Sequence, residues 1–274
     1  MKNLVFCIVL LFCVQGYTQR KPKIKGNRTV VEVRENLPPF NAIILKDDLE
    51  VVLRKSFEEG YTLQADENLV DVLKFEVTDY TLVISSYYKI TSKKKLDIVI
   101  NYKELESVTQ YNGKLSTADI VSADVLRIAT SGPARLELSA DAILTQLAME
   151  DISSADLTLT TDSLEVDLRD RIDARIYTTS ESIAVSMKKN ATARMEGVSG
   201  DLQVELVESA KLKAEKLESS VVRVTIQESA DAQVYAMDRL ELSSKGSSKT
   251  DLYGNPKIEI LEFLDTSKLH KQKD

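Results

Sequence analysis

The sequence is poor in the residues that carry most enzyme chemistry. Its 274 residues include no tryptophan, one histidine and two cysteines. Both cysteines, Cys7 and Cys13, lie among the first 19 residues, and the histidine, His270, lies in a lysine-rich segment near the end. A Ser-His-Asp triad, a thiol nucleophile, disulfide bonds and histidine- or cysteine-ligated metal sites are therefore nearly excluded.

Excess positive charge and long apolar runs are also missing. The net charge is −7, which argues against a nucleic-acid partner. After the first segment, no stretch approaches the roughly 18 apolar residues of a transmembrane helix, so we expect no membrane span. No phosphate-binding loop or dinucleotide fingerprint is present, and we expect no cofactor. The 43% of hydrophobic residues nevertheless suffices for a packed core.

Residues 1–19 have the pattern of a secretory signal peptide. Lys2 precedes an uncharged apolar run from Leu4 to Val14, and small or polar residues follow. The prediction is an exported protein of the periplasm, the outer surface or the extracellular space. Both cysteines would leave with this segment.

A two-part unit recurs from about residue 105 to residue 254. The first part alternates aliphatic residues, as in Leu164, Val166 and Leu168, and the second part is a small, a polar and an aliphatic residue, as in 174–176. The second parts begin at positions 113, 134, 155, 174, 193, 212, 232 and 250, a mean step of about 20 residues. Period-2 alternation in Val, Ile, Leu and Thr, separated by Ser, Asp, Asn and Gly, indicates short strands joined by turns.

A unit of this size cannot bury its apolar face alone, but it can when stacked on identical neighbours. The sequence therefore predicts an all-β protein, a parallel β-solenoid with coils of about 20 residues. An antiparallel sandwich or barrel is the alternative, although it has no reason to repeat at constant length. One predicted inward column contains Ile128, Met149, Leu168, Met187, Leu206 and Ile226, and the other contains Leu136, Leu157, Ile176, Met195 and Val234.

The remaining segments divide around these repeats. Residues 20–29 are predicted to be a basic linker, and residues 30–104, which alternate less regularly and hold eight aromatic residues, an N-terminal β region with the first coils and their cap. The repeats and a C-terminal cap occupy residues 105–264. Residues 265–274 are predicted to form a basic, solvated tail that contains His270.

Three segments resemble a known family. Residues 34–43 (RENLPPFNAI) and 49–53 (LEVVL) are similar to the start of the putative auto-transporter adhesin, head GIN domain family, and residues 245–256 (KGSSKTDLYGNP) are similar to its terminal repeat. The resemblance spans roughly residues 28–262. It implies a secreted or cell-surface β-solenoid, mainly of Bacteroidota, without assigned catalytic residues. At Glu208-Ser-Ala210 and Glu228-Ser-Ala230 this chain lacks the family's turn glycines, which predicts altered turns because alanine tolerates positive φ poorly.

Two groups of charged residues are candidates for ligand binding. An exposed row follows the small residues of the repeats, and its cations are Lys114, Arg135, Arg175, Arg194 and Lys213. Such a row suits an anionic glycan or surface polymer, but charged residues on strands also serve solubility and edge protection. The second group is the mixed cluster at 167–173 (DLRDRID), which on a solenoid face would resemble a lyase or hydrolase groove, or else be a solvated turn whose charges neutralise one another.

The leading functional hypothesis is an exported, non-catalytic envelope or surface module that acts by binding or as a structural element. Its expected partners are a glycan, a polysaccharide or envelope proteins. The rival is a polysaccharide-active lyase or hydrolase on the same fold, and a third possibility is an envelope assembly or signalling accessory that acts through its open ends. Converging carboxylates with a cation in one groove favour the enzyme, whereas evenly spread charge favours the binding module.

Overall fold

The computed structural model describes residues 21–273, which form 21 strands and one short helix. The signal peptide predicted at residues 1–19 lies outside the described residues. The strands are β1 (Lys23–Lys25), β2 (Val30–Asn36), β3 (Ala42–Leu45), β4 (Glu50–Lys55), β5 (Gly60–Asp66), β6 (Leu73–Thr78), β7 (Thr81–Ser86), β8 (Lys89–Ser92), β9 (Leu96–Tyr102), β10 (Ser107–Gln110), β11 (Lys114–Thr117), β12 (Val121–Thr130), β13 (Arg135–Met149), β14 (Ser154–Leu168), β15 (Asp173–Met187), β16 (Thr192–Leu206), β17 (Lys211–Ile226), β18 (Asp231–Ser244), β19 (Lys249–Tyr253), β20 (Lys257–Phe263) and β21 (Lys268–Lys271), and the helix is α1 (Glu67–Val70).

From β10 onward, every strand pairs in parallel with the strand one coil away. The chain is 69% strand and winds about nine turns of about 19 residues each. This confirms the predicted parallel β-solenoid and excludes the antiparallel sandwich. The repeat dictates the result, because equivalent aliphatic residues must stack along the axis to leave water.

Each coil of the repeat region has two straight sides and two different corners. Side A is the first half of a long strand, such as residues 173–180, and side B is its second half, such as residues 182–187. Between them one residue has no partner in the ladder, and the residues at this position are Ile143, Asp162, Glu181, Gly200 and Ser220. A turn then leads from side B to side A of the next coil.

The turn contains one residue with positive φ in every coil from β12 to the end. The residues at this position are Gly132, Asp151, Asp170, Lys189, Glu208, Glu228, Gly246 and Asp265. The prediction of altered turns at Ala210 and Ala230 is therefore wrong. Positive φ falls on Glu208 and Glu228, whereas both alanines are buried and extend into the next side A.

The core is a stack of aliphatic columns, and its register corrects the predicted one by two residues at one step. Met149, Leu168, Met187, Leu206 and Ile226 pair in succession as predicted. However, Ile128 pairs with Leu147, and Leu136 pairs with Ala155. The sequence match placed a 21-residue step where the chain uses 19, and alternation concealed the error because a two-residue shift keeps every side chain on its own face.

One inward column near the corner is polar. Thr161, Ser180, Ser199 and Ser219 follow one another in register and are 0–8% exposed. Ser199 Oγ lies 2.7 Å from Ser219 Oγ, and Thr178 Oγ1 lies 2.8 Å from Ser180 Oγ. These contacts satisfy hydroxyl groups that would otherwise be costly to bury.

Residues 30–104 close the first end of the solenoid with a different arrangement. β3 and β4 form parallel ladders with β10 and β11, so they belong to a coil. β2, β5 and β9 pair antiparallel, as do β6 and β7. Together with α1, whose Leu69 is fully buried, they cover the end of the core.

Both segments that the sequence analysis treated as linker and tail contain a strand. In the predicted linker, β1 pairs with β8. In the predicted tail, β21 pairs with β19 and extends side A by one more coil. Few apolar residues mark these strands, and the ladder supplied by the neighbouring coil orders them instead.

Candidate ligand-binding surfaces

Three of the predicted cations form a continuous row on the outer face of side A. Arg175 pairs in register with Arg194, and Arg194 pairs with Lys213. Both arginines are exposed, and Lys213 is half-buried. Adjacent strands are about 4.8 Å apart, so the row places three positive charges over roughly 10 Å. We call Arg175, Arg194 and Lys213 the cation row.

The other two predicted cations lie beside this row. Lys114 pairs with Arg135, and Arg135 pairs with Ser154, whereas the coil position of the cation row is occupied by Glu137 and Asp156. The cause is the two-residue register shift between β13 and β14. Lys114 and Arg135 remain on the same outer face, but in the neighbouring column.

The cation row is only partly neutralised. Arg175 lies 3.9 Å from Asp156 at one end of the row. Within the described residues, Arg194 and Lys213 form no ion pair shorter than 4.0 Å, whereas Lys114 is paired with Glu137 at 2.6 Å. Like charges placed opposite each other on adjacent strands are unfavourable. An anion bound along the row would relieve this repulsion.

An exposed aromatic ring accompanies the cation row. Tyr177 is two residues beyond Arg175 on β15, so both side chains point outward, and Tyr177 is 56% exposed. A shallow depression of about 330 Å³ is lined by Arg175, Tyr177, Arg194 and Glu196. The sequence analysis judged aromatic residues too sparse after residue 111 and missed this one. The i, i+2 spacing from Arg175 was the signal that could have found it.

Side B carries a second concave surface, which the sequence analysis did not identify. A groove of about 490 Å³ crosses the coils from β10 to β16. Small residues line it, including Ala129, Ala148 and Ala184, and its polar residues are Arg127, Gln146, Glu165, Asp167, Gln203 and Glu205. Gln146 Nε2 donates to Glu165 Oε2 at 2.7 Å. We call this surface the side-B groove.

The mixed-charge cluster at 167–173 is largely self-neutralised. Arg169 contacts Asp167 at 2.6 Å and Glu150 at 3.6 Å, and Asp170 pairs with Lys189 of the next coil. The hydrogen bond with Asp170 raises the pKa of Lys189. These contacts favour the solvated turn over a catalytic arrangement, since most of the charged groups already have partners.

His270 is part of a small polar cluster at the last coil rather than of a free tail. Its Nδ1 lies 3.3 Å from Asp251 Oδ1, and Lys249 and Gln272 donate hydrogen bonds to the same carboxylate. Burial alone would raise the pKa of Asp251, but the hydrogen bonds from Lys249 and Gln272 lower it further than burial raises it. The net direction is a lowered pKa, so the carboxylate is a stable anion that fastens β21 to β19.

Residues 21–273 contain no group of three or more His, Cys, Asp or Glu side chains arranged to hold a metal ion. No helix in that part of the chain is long and apolar enough to cross a membrane.

Comparison with known families identifies the relatives of this solenoid. The family model of the putative auto-transporter adhesin, head GIN domain, matches residues 39–170 and 145–256. The chain belongs to the head GIN domain family. This confirms the resemblance seen in the sequence. The family's description is that of an adhesin, and it indicates no catalytic function.

Solved structures share the fold of this family member at low sequence identity. A putative adhesin from Parabacteroides merdae has a TM-score of 0.68 and 15% identity, covering 92% of this chain and 100% of that one. A putative adhesin from Parabacteroides distasonis has a TM-score of 0.69 and 16% identity, with 91% and 100% covered. A putative lipid binding protein from Parabacteroides distasonis has a TM-score of 0.64 and 18% identity, with 92% and 100% covered. Among curated proteins, no significant match to the sequence is found.

Proposed function

We propose that this protein is an exported, non-catalytic binding module of the cell envelope or surface, and that it holds an anionic polysaccharide along the cation row. The observation that carries the proposal is the in-register stack of Arg175, Arg194 and Lys213, two of which lack an ion-pair partner among the described residues. Their spacing of about 4.8 Å is close to the length of one sugar residue, so a polymer lying along the axis meets a cation on each coil.

Three further observations support this function. The chain belongs to a family described as adhesins, and related solved structures are described in the same way. Tyr177 adds an exposed ring beside the row, on which the apolar face of a sugar can pack. Export is supported by the signal-peptide pattern of residues 1–19 and by the surface role that the family description implies.

Binding to uronate-containing or sulfated polysaccharides, with a neutral polysaccharide beside them, tests the proposal. The variant R175Q/R194Q/K213Q is expected to lose about tenfold or more in affinity for the anionic polymers, since each lost charge-assisted contact is worth about 1 kcal/mol or more. The matched control K46Q/R54Q/K103Q also removes three exposed cations that form no ion pair within the described chain. It should retain the affinity. Equal losses in both variants would show a non-specific charge effect and contradict the proposal.

The side-B groove supports a second candidate, a polysaccharide hydrolase. Asp167 and Glu205 occupy the same outward column two coils apart, roughly 10 Å along the ladder, and Arg127 lines the same groove. Inverting glycosidases hold their two carboxyl groups about 6.5–9.5 Å apart. Product analysis in the binding experiment separates the candidates: oligosaccharide release that E205Q abolishes would establish the hydrolase and overturn the non-catalytic module.

Export has its own test. The native protein, purified from its producing cells, is expected to begin after residue 19 and to be found in the periplasm, on the surface or in the medium. A protein that starts at Met1 and remains in the cytosol would contradict export.

A further inference from the structure

The second end of the solenoid differs from the first because its last coil is bare. β20 continues side B and pairs with β18, and β21 continues side A and pairs with β19. Within residues 21–273, no strand pairs with the other edge of β20 or of β21. Two strand edges therefore present unpaired backbone donors and acceptors, which is a template for adding another strand.

The apolar core is open at the same end. Ile258 and Ile260 are 42% and 50% exposed, although their ladder partners Leu240 and Leu242 are fully buried. The column is the same, and the difference is that the next coil is missing. Leu261, Phe263 and Leu264 are also 42–62% exposed. Natural solenoids cover such ends with polar caps, whereas here the last coil is apolar and exposed.

We propose that a second copy of this chain covers this end, so that two solenoids meet with their last coils face to face. An isologous contact of this kind closes as a dimer. Seen from outside, the two last coils wind in the same sense, so strands that face each other across the interface run antiparallel. The first end is already covered by antiparallel strands and α1, and it offers no matching open core to a head-to-tail stack.

The charges on the two end strands select the pairing. The outward acidic residues of the end lie on β20, at Glu259 and Glu262, whereas β21 carries Lys268 and Lys271. Pairing β20 of each copy with β21 of the other places acidic beside basic strands twice. If Ile258 lies opposite Leu269 of the second copy, Glu259 lies opposite Lys268. Pairing each strand with its own copy would instead place like charges together.

Association is measured by analytical ultracentrifugation of the purified protein over a wide concentration range. The unchanged protein is expected to be a dimer. The variant I260K/L261K introduces charges into the exposed end, and its dissociation constant should rise by about tenfold or more. The matched control is I120K/I143K, which places lysines at two isoleucines elsewhere on the surface that are 59% and 57% exposed. It should dimerise like the unchanged protein. Circular dichroism verifies that both variants are folded.

Cross-linking tests which strands meet. The double variant E259C/K268C is expected to form an intermolecular disulfide under mild oxidation, and neither single variant should do so. A disulfide in E259C alone would show that β20 pairs with its own copy, and the proposed pairing would be wrong.

Three other results would overturn the dimer itself. They are a monomer at every concentration, a dimer that I260K/L261K leaves intact, and filaments that grow with concentration. A monomer that binds lipid vesicles through this end, and loses binding in I260K/L261K, would assign the apolar surface to a lipid instead. The measurement does not involve the cation row, so this inference and the proposed function stand or fall separately.

Discussion

At the scale of single residues, the αL position of the turns shows how the repeat tolerates chemically different side chains. Of its eight residues, only Gly132 and Gly246 are glycines. The other six are Asp, Lys or Glu, and each carries the steric cost of a left-handed backbone, about 1–2 kcal/mol. The stacked ladder must therefore impose this conformation, because the local residues do not prefer it.

Replacing Glu228 with glycine is expected to stabilise the protein. Glu228 has a φ of 60° and forms no ion pair shorter than 4.0 Å among the described residues. Relief of the left-handed strain exceeds the backbone entropy lost by glycine, so E228G should increase the free energy of unfolding by roughly 0.5–1 kcal/mol. Urea denaturation measures the change. E228A retains the strained Cβ, and a stabilisation of equal size in that control would contradict the explanation.

At the scale of elements, a buried carboxylate joins three segments of the N-terminal cap. Asp66, at the end of β5, accepts hydrogen bonds from the backbone N–H groups of Arg28, Lys94 and Lys95 at 3.0–3.2 Å. Burial alone would raise the pKa of Asp66, but these three hydrogen bonds together outweigh it, and the net pKa is lowered. Asp66 thereby fastens the strand β1 region and the loop before β9 to the cap.

The lowered pKa of Asp66 predicts a pH-dependent cap. A carboxyl group whose pKa is lower in the folded protein than its ordinary 3.8 stabilises fully above that value and loses its contribution as the pH falls through the folded pKa. D66N should therefore increase hydrogen exchange in residues 21–29 and 93–95 at neutral pH. Below the folded pKa the unchanged protein should approach the variant.

The exposed Asp97 supplies the control for this experiment, since it forms only a surface pair with Lys95 at 2.5 Å. D97N should leave exchange in residues 21–29 unchanged. If D66N and the unchanged protein differ equally at all pH values, the carboxylate is not the cause.

At the scale of the whole molecule, the solenoid is a set of nearly equivalent coils that each contact only their neighbours. Asp173 pairs with Ser154 on one side and with Thr192 on the other, so one coil between them is 19 residues long. Such a stack can lose a complete coil and still close its ladder.

Deletion of residues 173–191 is therefore expected to give a folded protein that is one coil shorter. Ser154 would then pair with Thr192, and circular dichroism should retain the β signal with a lower melting temperature. Deletion of residues 173–182 removes only part of a coil and displaces every later column, so it should not give a folded solenoid. A folded product from the second deletion would contradict register as the organising constraint.

Much of this architecture was predictable from the spacing of aliphatic residues. Period-2 alternation and a step near 20 residues indicated the parallel stack, and the segments at 34–43 and 245–256 indicated the family. The register error at Ile128 and Leu136 shows the limit of this reasoning. A hydrophobic column has the same appearance after a two-residue shift, so sequence similarity between coils cannot distinguish the two registers.

The candidate sites were less accessible to prediction. Arg175, Arg194 and Lys213 were found because their 19-residue spacing is the true repeat, and Lys114 and Arg135 were misplaced because theirs crosses the register shift. The side-B groove left no motif, since it arises from small residues on five neighbouring coils.

The sequence alone determined that the chain stacks as a solenoid with little catalytic chemistry, because its alternation leaves no other way to bury the aliphatic residues and its composition lacks the usual nucleophiles and ligands. Only the tertiary structure decided which cations share a column, where the side-B groove lies, and that Ile258 and Ile260 remain exposed at the last coil. These properties depend on which residues become neighbours across coils, and that neighbourhood is set by the ladder register rather than by any single segment.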